Sequence, residues 1–150
     1  AVMREGVIQQ LDTPEKVYHF PANLFVADFI GSPKVNLMEG WVSGKDHVDL
    51  GKFNIPVNTY NKTGDVVVGV RPEDISISAE PVEGGVEFTA YSVLPSGADT
   101  TIIARKGENT ELTVKEMGVS RIGMDQKIWL TFNKDTVNLY DKSTGKLVMA

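Results

Sequence analysis

The chain has 150 residues, 41% of them hydrophobic and 23% charged, and it contains no cysteine. This length is typical of about one domain with a real core, and the lack of cysteine excludes disulfides and thiolate metal sites. A net charge of −5 argues against binding to a nucleic-acid backbone, which needs a basic surface.

The first 20 residues predict a strand hairpin and a short helix. Residues 1–3 and 7–10 are strand candidates on either side of a polar turn at residues 4–6. Thr13 is typical of a helix N-cap, and Pro14 suits the first helical position because its missing N–H has no partner there. This helix is expected to end before Pro21.

A second short helix is predicted over residues 24–30. Asn23 is the expected N-cap, and Gly31 followed by Pro33 ends the helix. The helix is apolar round most of its circumference, so it needs a partner surface on more than one side. We therefore predict that this segment takes part in an interface, with the following candidate side chains: Tyr18, Leu24, Phe25, Val26, Phe29 and Ile30.

From Leu37 onward the pattern predicts an all-β chain. Short runs with period-two alternation are separated by turns every 8 to 12 residues, which is typical of a sandwich or barrel. Ten such strands are too many for a single five-stranded barrel. They are residues 38–43, 46–50, 52–57, 66–70, 75–78, 86–93, 100–104, 111–115, 128–132 and 136–140.

The stretch from residue 66 to residue 78 predicts two half-buried strands joined by a rigid corner. Valines at alternate positions lead to Gly69, Arg71, Pro72 and Glu73, after which the alternation resumes at Ile75. Pro72 fixes its own φ and holds Arg71 in an extended conformation. Arg71 points away from the face of Val70, so it can be either paired or exposed.

No catalytic constellation is recognisable in the sequence. The chain lacks a G-x-x-x-x-G-K-[ST] phosphate loop, and its two histidines, His19 and His47, lack the spacing of a metal site. The carboxylate pair Glu73-Asp74 lies in a predicted turn rather than a pocket. The aromatic residues are not interleaved with basic ones, as a nucleic-acid platform requires. We expect no catalytic residue, metal or cofactor in this chain.

The corner and the N-terminal segment resemble one known family. Gly69-Val70-Arg71-Pro72-Glu73 is similar to the corner of the transport-associated OB (TOBE) domain of ABC importer ATP-binding subunits. Residues 1–36 resemble the last segment of the ATPase domain in subunits of the maltose and oligosaccharide type. The matching residues are Val2-Met3, Gly6, Gln10, Thr13-Pro14, Val17-Tyr18, Pro21, Asn23, Phe25-Val26, Phe29-Ile30-Gly31-Ser32-Pro33 and Asn36. Asp12 and Val35 depart from the family pattern, which often has Gly and Met there.

The resemblance implies a fold of two small OB-like barrels, preceded by a hairpin and helices left over from the ATPase domain. It implies a boundary between residues 1–36 and a regulatory TOBE domain at residues 37–150. The implied role is non-catalytic regulation and homodimerisation of a cytoplasmic subunit at the inner face of the membrane. Its implied partners are the membrane-spanning importer subunits and regulatory proteins, not nucleic acid, and ATP and magnesium are expected upstream of Ala1.

Two alternatives stay open at this stage. One is a nucleic-acid-binding OB module, which the negative net charge disfavours, and the other is an oxyanion sensor. OB-like pairs also resemble domains that bind molybdate or other oxyanions. Such sites use clustered backbone N–H groups with Ser, Thr or Lys nearby. The candidate positions here are Ser96-Gly97 and Ser143-Thr144-Gly145.

Overall fold

A computed structural model describes residues 1–31 and 33–149. Ser32, which belongs to the Gly-Ser-Pro match, lies outside the described residues, as does Ala150. The chain divides into two compact units. Unit 1 comprises residues 1–70 and 134–150, and unit 2 comprises residues 71–133.

Strands dominate the described residues, which also form two α-helices and two 3₁₀ turns. The helices are Pro14–His19 (α1) and Leu24–Phe29 (α2), and the 3₁₀ turns are Pro72–Asp74 and Lys134–Thr136. The strands are Val2–Arg4 (β1), Val7–Gln10 (β2), Asn36–Val42 (β3), His47–Asp49 (β4), Asn54–Pro56 (β5), Gly64–Val70 (β6), Ile75–Ser78 (β7), Val86–Pro95 (β8), Asp99–Lys106 (β9), Thr110–Met117 (β10), Lys127–Phe132 (β11) and Asn138–Asp141 (β12).

Unit 1 contains the β1–β2 hairpin and a five-stranded antiparallel sheet. The order of the sheet is β12-β6-β3-β4-β5, so the last strand of the chain lies at the edge beside β6. Both helices belong to this unit and begin as predicted. The Thr13 side chain accepts a hydrogen bond from Lys16 N at 3.3 Å, and the Asn23 side chain accepts one from Val26 N at 2.9 Å.

Helix α2 packs on two sides, as its apolar circumference requires. On one side Val26 forms a buried cluster with Val2 and Val17. On the other side Ala27 packs with Val67 of β6 and Tyr140 of β12. The helix is therefore a covering layer on the sheet of unit 1.

This layer corrects the prediction for the strand at residues 66–70. Alternation predicted a half-buried strand, but all five residues of β6 from Val66 to Val70 are buried. Val67, on the face expected to meet solvent, is only 8% exposed because α2 and Tyr140 cover it.

Unit 2 contains a second five-stranded antiparallel sheet, in the order β10-β9-β8-β11-β7. Its core side is formed by alternate residues of neighbouring strands, among them Phe88, Ile102, Leu112 and Ile128. A bulge in β8 between Ala90 and Ser92 shifts the register with β9.

Two five-stranded sheets agree with the prediction of about ten short strands after Leu37. No helix among residues 1–31 and 33–149 has the length and hydropathy of a membrane span. The predicted boundary after Asn36, between a segment derived from an ATPase domain and the TOBE domain, stays a prediction. The compact units divide elsewhere, between Val70 and Arg71 and between Asn133 and Lys134.

Candidate functional site

The predicted corner forms where expected, and its residues have different environments. Gly69 is the penultimate residue of β6 and Pro72 opens a 3₁₀ turn that leads into β7. The turn is closed by Asp74 N, which donates to the carbonyl of Arg71 at 3.0 Å. Arg71 is only 5% exposed and Pro72 is buried, whereas Glu73 is exposed. The sequence allowed Arg71 to be either paired or exposed, and in the structure its side chain is buried.

Gly69 lies close to neighbouring side chains at the corner. A Cβ atom at this position would lie 3.3 Å from Cε2 of Tyr140 and 3.5 Å from Cδ2 of Leu37. Tyr140 is completely buried, so a methyl group at position 69 would press on a packed ring. The glycine therefore allows β6 and β12 to lie side by side under the helix.

The interface candidates on α2 are largely occupied within the chain. Val26 is fully buried, and Phe25 and Ile30 pack against its cluster. Leu24 packs against the cluster of Ala27, Val67 and Tyr140. The sheet of unit 1 and the N-terminal hairpin therefore supply the partner surface that these side chains need, and their part in an interface stays a prediction.

Phe29 and Tyr18 are the remaining candidates. Phe29 is 64% exposed, although one face of its ring stacks on Phe25 at a centroid distance of 5.7 Å. Tyr18 is partly buried and meets the ring of His19 edge-on. Phe29 is thus the α2 side chain with the most area left for an outside partner.

Polar contacts tie the helical segment to the end of the chain. The hydroxyl of Tyr140 donates to the carbonyl of Pro21 at 3.3 Å, and Leu147 N donates to the carbonyl of Ala22 at 3.0 Å. Leu24 N donates to the carbonyl of Gly145 at 2.9 Å. The sequence carried no signal for these contacts, because they join residues more than 100 positions apart.

Asp141 organises the turn that follows β12. Its carboxylate pairs with the ammonium group of Lys62 and accepts hydrogen bonds from the backbone N–H groups of Ser143 and Thr144, at 2.8 and 3.0 Å. The Ser143 hydroxyl also donates to it at 2.6 Å. The Lys62 ammonium group, and after it the Ser143 hydroxyl and the backbone N–H groups, hold the pKa of Asp141 well below its usual range.

This arrangement bears directly on the oxyanion alternative. The Ser143 and Thr144 N–H groups already bind a carboxylate of the chain, and Gly145 N donates to the carbonyl of Asp141 at 2.7 Å. At the other candidate position, Ser96 N donates to the carbonyl of Asp99 at 2.8 Å. The N–H groups of Ser96, Ser143, Thr144 and Gly145 are thus engaged within the chain.

A groove of about 700 Å³ lies between β2, α1 and the C-terminal segment. Gln10 lines this groove, and its side chain binds backbone groups of the same unit. Its Oε1 accepts a hydrogen bond from Ala22 N at 2.9 Å, and its Nε2 donates one to the carbonyl of Phe20 at 3.2 Å. Among residues 1–31 and 33–149, no three His, Asp or Glu side chains are grouped as metal ligands.

Comparison with known proteins identifies the two halves of the β region. The MalK OB fold domain matches residues 31–75, and the TOBE domain matches residues 68–139. Of the solved structures, the cytoplasmic molybdate-binding protein ModG superimposes with a TM-score of 0.59 at 12% identity, over 69% of this chain and 94% of that one. At this identity the likeness concerns the fold alone, and it agrees with the predicted all-β, OB-type architecture.

Full-length relatives match over almost the whole chain. The sn-glycerol-3-phosphate import ATP-binding proteins UgpC of Escherichia coli K12 and O157:H7 are 37% identical over 152 residues, and that of Salmonella typhimurium is 35% identical. The match covers 98% of this chain, which spans about 42% of the length of these relatives. The chain therefore carries a MalK OB fold domain and a TOBE domain, and over almost its whole length it is similar to import ATP-binding proteins.

Proposed function

We propose that this chain is the regulatory and dimerisation part of an ATP-binding subunit of an importer for sugars or sugar phosphates. The TOBE match and the relatives' role in sn-glycerol-3-phosphate import support this proposal. In such a protein ATP and magnesium are bound by the ATPase domain, the subunit works at the cytoplasmic face of the membrane, and its partners are the membrane-spanning subunits and regulatory proteins.

The observation that carries the proposal is the attachment of the N-terminal segment to the sheet of unit 1. Residues 1–36 resemble the end of an ATPase domain, and here α2 is buried against Val67 and Tyr140. Burial of a side chain such as Val26 contributes about 1.5–3 kcal/mol, and the hydrogen bonds to residues 145–147 add to it. A displacement of this segment during an ATPase cycle would therefore move unit 1 with it.

A dimer formed by this part of the subunit would hold two ATPase domains at high effective concentration while they open and close. Exposed apolar side chains are the natural material for such an interface. Both units expose large apolar side chains, but the two most exposed ones among the described residues are Met117 and Val119 of unit 2, at 77% and 82%. They are two residues apart in the sequence, so we place the dimer contact there.

Light scattering on a sizing column tests this assignment. We expect the mass of two chains at tens of micromolar, and the mass of one chain for the double variant Met117→Asp/Val119→Asp. Val82→Asp is the matched control, because Val82 is also an exposed apolar residue of unit 2, at 43% exposure. A single-chain mass for the unaltered protein overturns the dimer, and a dimer that survives the double variant moves the contact elsewhere.

A further inference from the structure

A tryptophan lies between two carboxylates on the outer face of the unit 1 sheet. Trp41 of β3 is 52% exposed, and the register places Asp49 of β4 opposite it on one side and Asp65 of β6 on the other. Directly opposite residues in antiparallel strands project to the same face, with Cβ atoms about 4.5–5.5 Å apart. Asp49, Trp41 and Asp65 therefore form a row across three strands, which we call the Trp41 row.

Helix α2 does not cover this part of the sheet. The helix packs over Val67, which is opposite Glu39 of β3, while Trp41 lies two residues further along the strand. On the other face, the neighbouring Val42 is fully buried. The indole thus lies on a part of the outer face that α2 leaves uncovered.

The charges around the row have an excess of acid. Glu39 pairs with Lys142 at 3.4 Å, and Asp141 pairs with Lys62. The ion pairs of the described residues include neither Asp49 nor Asp65. Asp49 also accepts a hydrogen bond from Gly51 N at 2.8 Å, but the two carboxylates beside the indole take part in none of these ion pairs.

Unit 2 contains an aromatic ring and a carboxylate that hold a cation of the same chain. The guanidinium carbon of Arg105 lies 3.4 Å from the ring centroid of Tyr91, and its Nε donates to Glu111 at 3.1 Å. An aromatic face and a carboxylate together hold an arginine there. The Trp41 row has the aromatic face and the carboxylates.

We propose that the Trp41 row binds an arginine side chain on a basic segment of a protein partner. Tryptophan is the best aromatic partner for a cation, and a planar guanidinium can stack on the indole while it donates to a neighbouring carboxylate. Tryptophan and arginine are also the residues most enriched where protein contacts carry binding energy. The inference uses unit 1 alone and does not depend on the proposed transport function.

The test is a titration of the whole chain with acetyl-Arg-Ala-Arg-amide, followed by the indole N–H signals in ¹H–¹⁵N spectra. Trp41 and Trp129 are the two tryptophans, so a Trp129→Phe variant assigns both signals. We expect a saturable shift of the Trp41 signal, with about fivefold or greater weakening in Asp49→Asn/Asp65→Asn. A sharp, dispersed Trp41 signal in that variant before titration, with a circular dichroism spectrum like that of the parent, verifies that unit 1 is still folded.

Two controls separate this site from general charge attraction. Glu83→Gln/Glu108→Gln makes the same change of net charge at exposed positions of unit 2 and should leave binding unaltered. Acetyl-Glu-Ala-Glu-amide should produce no saturable shift. The proposal is overturned if the Trp41 signal does not respond to the arginine peptide, or if it responds equally to the glutamate peptide. It is also overturned if peptide binding weakens as much in the unit 2 control as in Asp49→Asn/Asp65→Asn.

Discussion

The two units are built on sheets of equal size, yet the strand next to the edge, β6 in unit 1 and β9 in unit 2, is buried differently. In unit 1 every residue of β6 from Val66 to Val70 is buried. In unit 2 strand β9 alternates, with Thr100, Ile102 and Ala104 buried and their neighbours partly exposed. The same kind of sheet can therefore be a layer between two covers or a layer with one open face.

The difference comes from the helical segment that unit 1 carries. Helix α2 and the turn after β12 cover the outer face of β6, and Tyr140 fills the space between them. In unit 2 that face carries polar contacts at the surface, such as the pair between Arg105 and Glu111. Consecutive hydrophobic residues indicate cover on both faces, whereas strict alternation indicates one open face.

The largest expected effect comes from placing a charge on the outer face of each sheet. Val67→Asp should lower the free energy of unfolding by at least about 3 kcal/mol, because it buries an unpaired carboxylate under α2. Ile103→Asp makes a comparable change on β9, where the side chain is partly exposed, and should cost about 1 kcal/mol. Urea unfolding followed by circular dichroism measures both. Equal losses would mean that the two faces are equally covered.

An intermediate effect is expected at the corner where the two units divide. Arg71→Ala should cost about 1–3 kcal/mol, because a buried guanidinium interacts with groups that lose their partner. Arg121→Ala removes an exposed arginine from the same unit and should cost less than about 0.5 kcal/mol. Denaturation midpoints that change equally in the two variants would show that burial of Arg71 has no energetic consequence.

The smallest effect concerns the turn after β12 in unit 1 and depends on pH. Since the folded pKa of Asp141 is lowered, its contribution to stability is present above the unfolded pKa of about 4 and declines as the pH falls below it. The difference in melting temperature between the parent and Asp141→Asn should therefore be largest near neutral pH and shrink below about pH 4. Asp12→Asn, at an exposed position, serves as the control, and a difference that stays constant down to pH 3 would contradict the lowered pKa.

Much of the local structure could be predicted from short segments. The caps at Thr13 and Asn23 form, and Pro72 turns the chain between two strands. These features depend on the residue and its immediate neighbours. The environment of the candidate site could not be predicted in the same way, because Arg71 and Val26 owe their burial to residues distant in sequence.

The Trp41 row, likewise, could not be predicted from the sequence. Trp41 lies in the strand predicted over residues 38–43, but the pattern does not show that its side chain is half exposed at the edge of the area that α2 covers. Its two carboxylate neighbours become neighbours only through the register of β3 with β4 and β6. A sequence pattern of period two states that residues share a face, but not which face is covered.

The sequence by itself determined the all-β character after Leu37, the two capped helices and the corner at Pro72, because these follow from local sterics, hydrogen bonding and periodicity. Only the tertiary structure decided that α2 covers the sheet of its own chain, that β12 lies beside β6, and that Lys62 meets Asp141. Such contacts join residues far apart along the chain, and their energy appears only when the whole unit has closed around them.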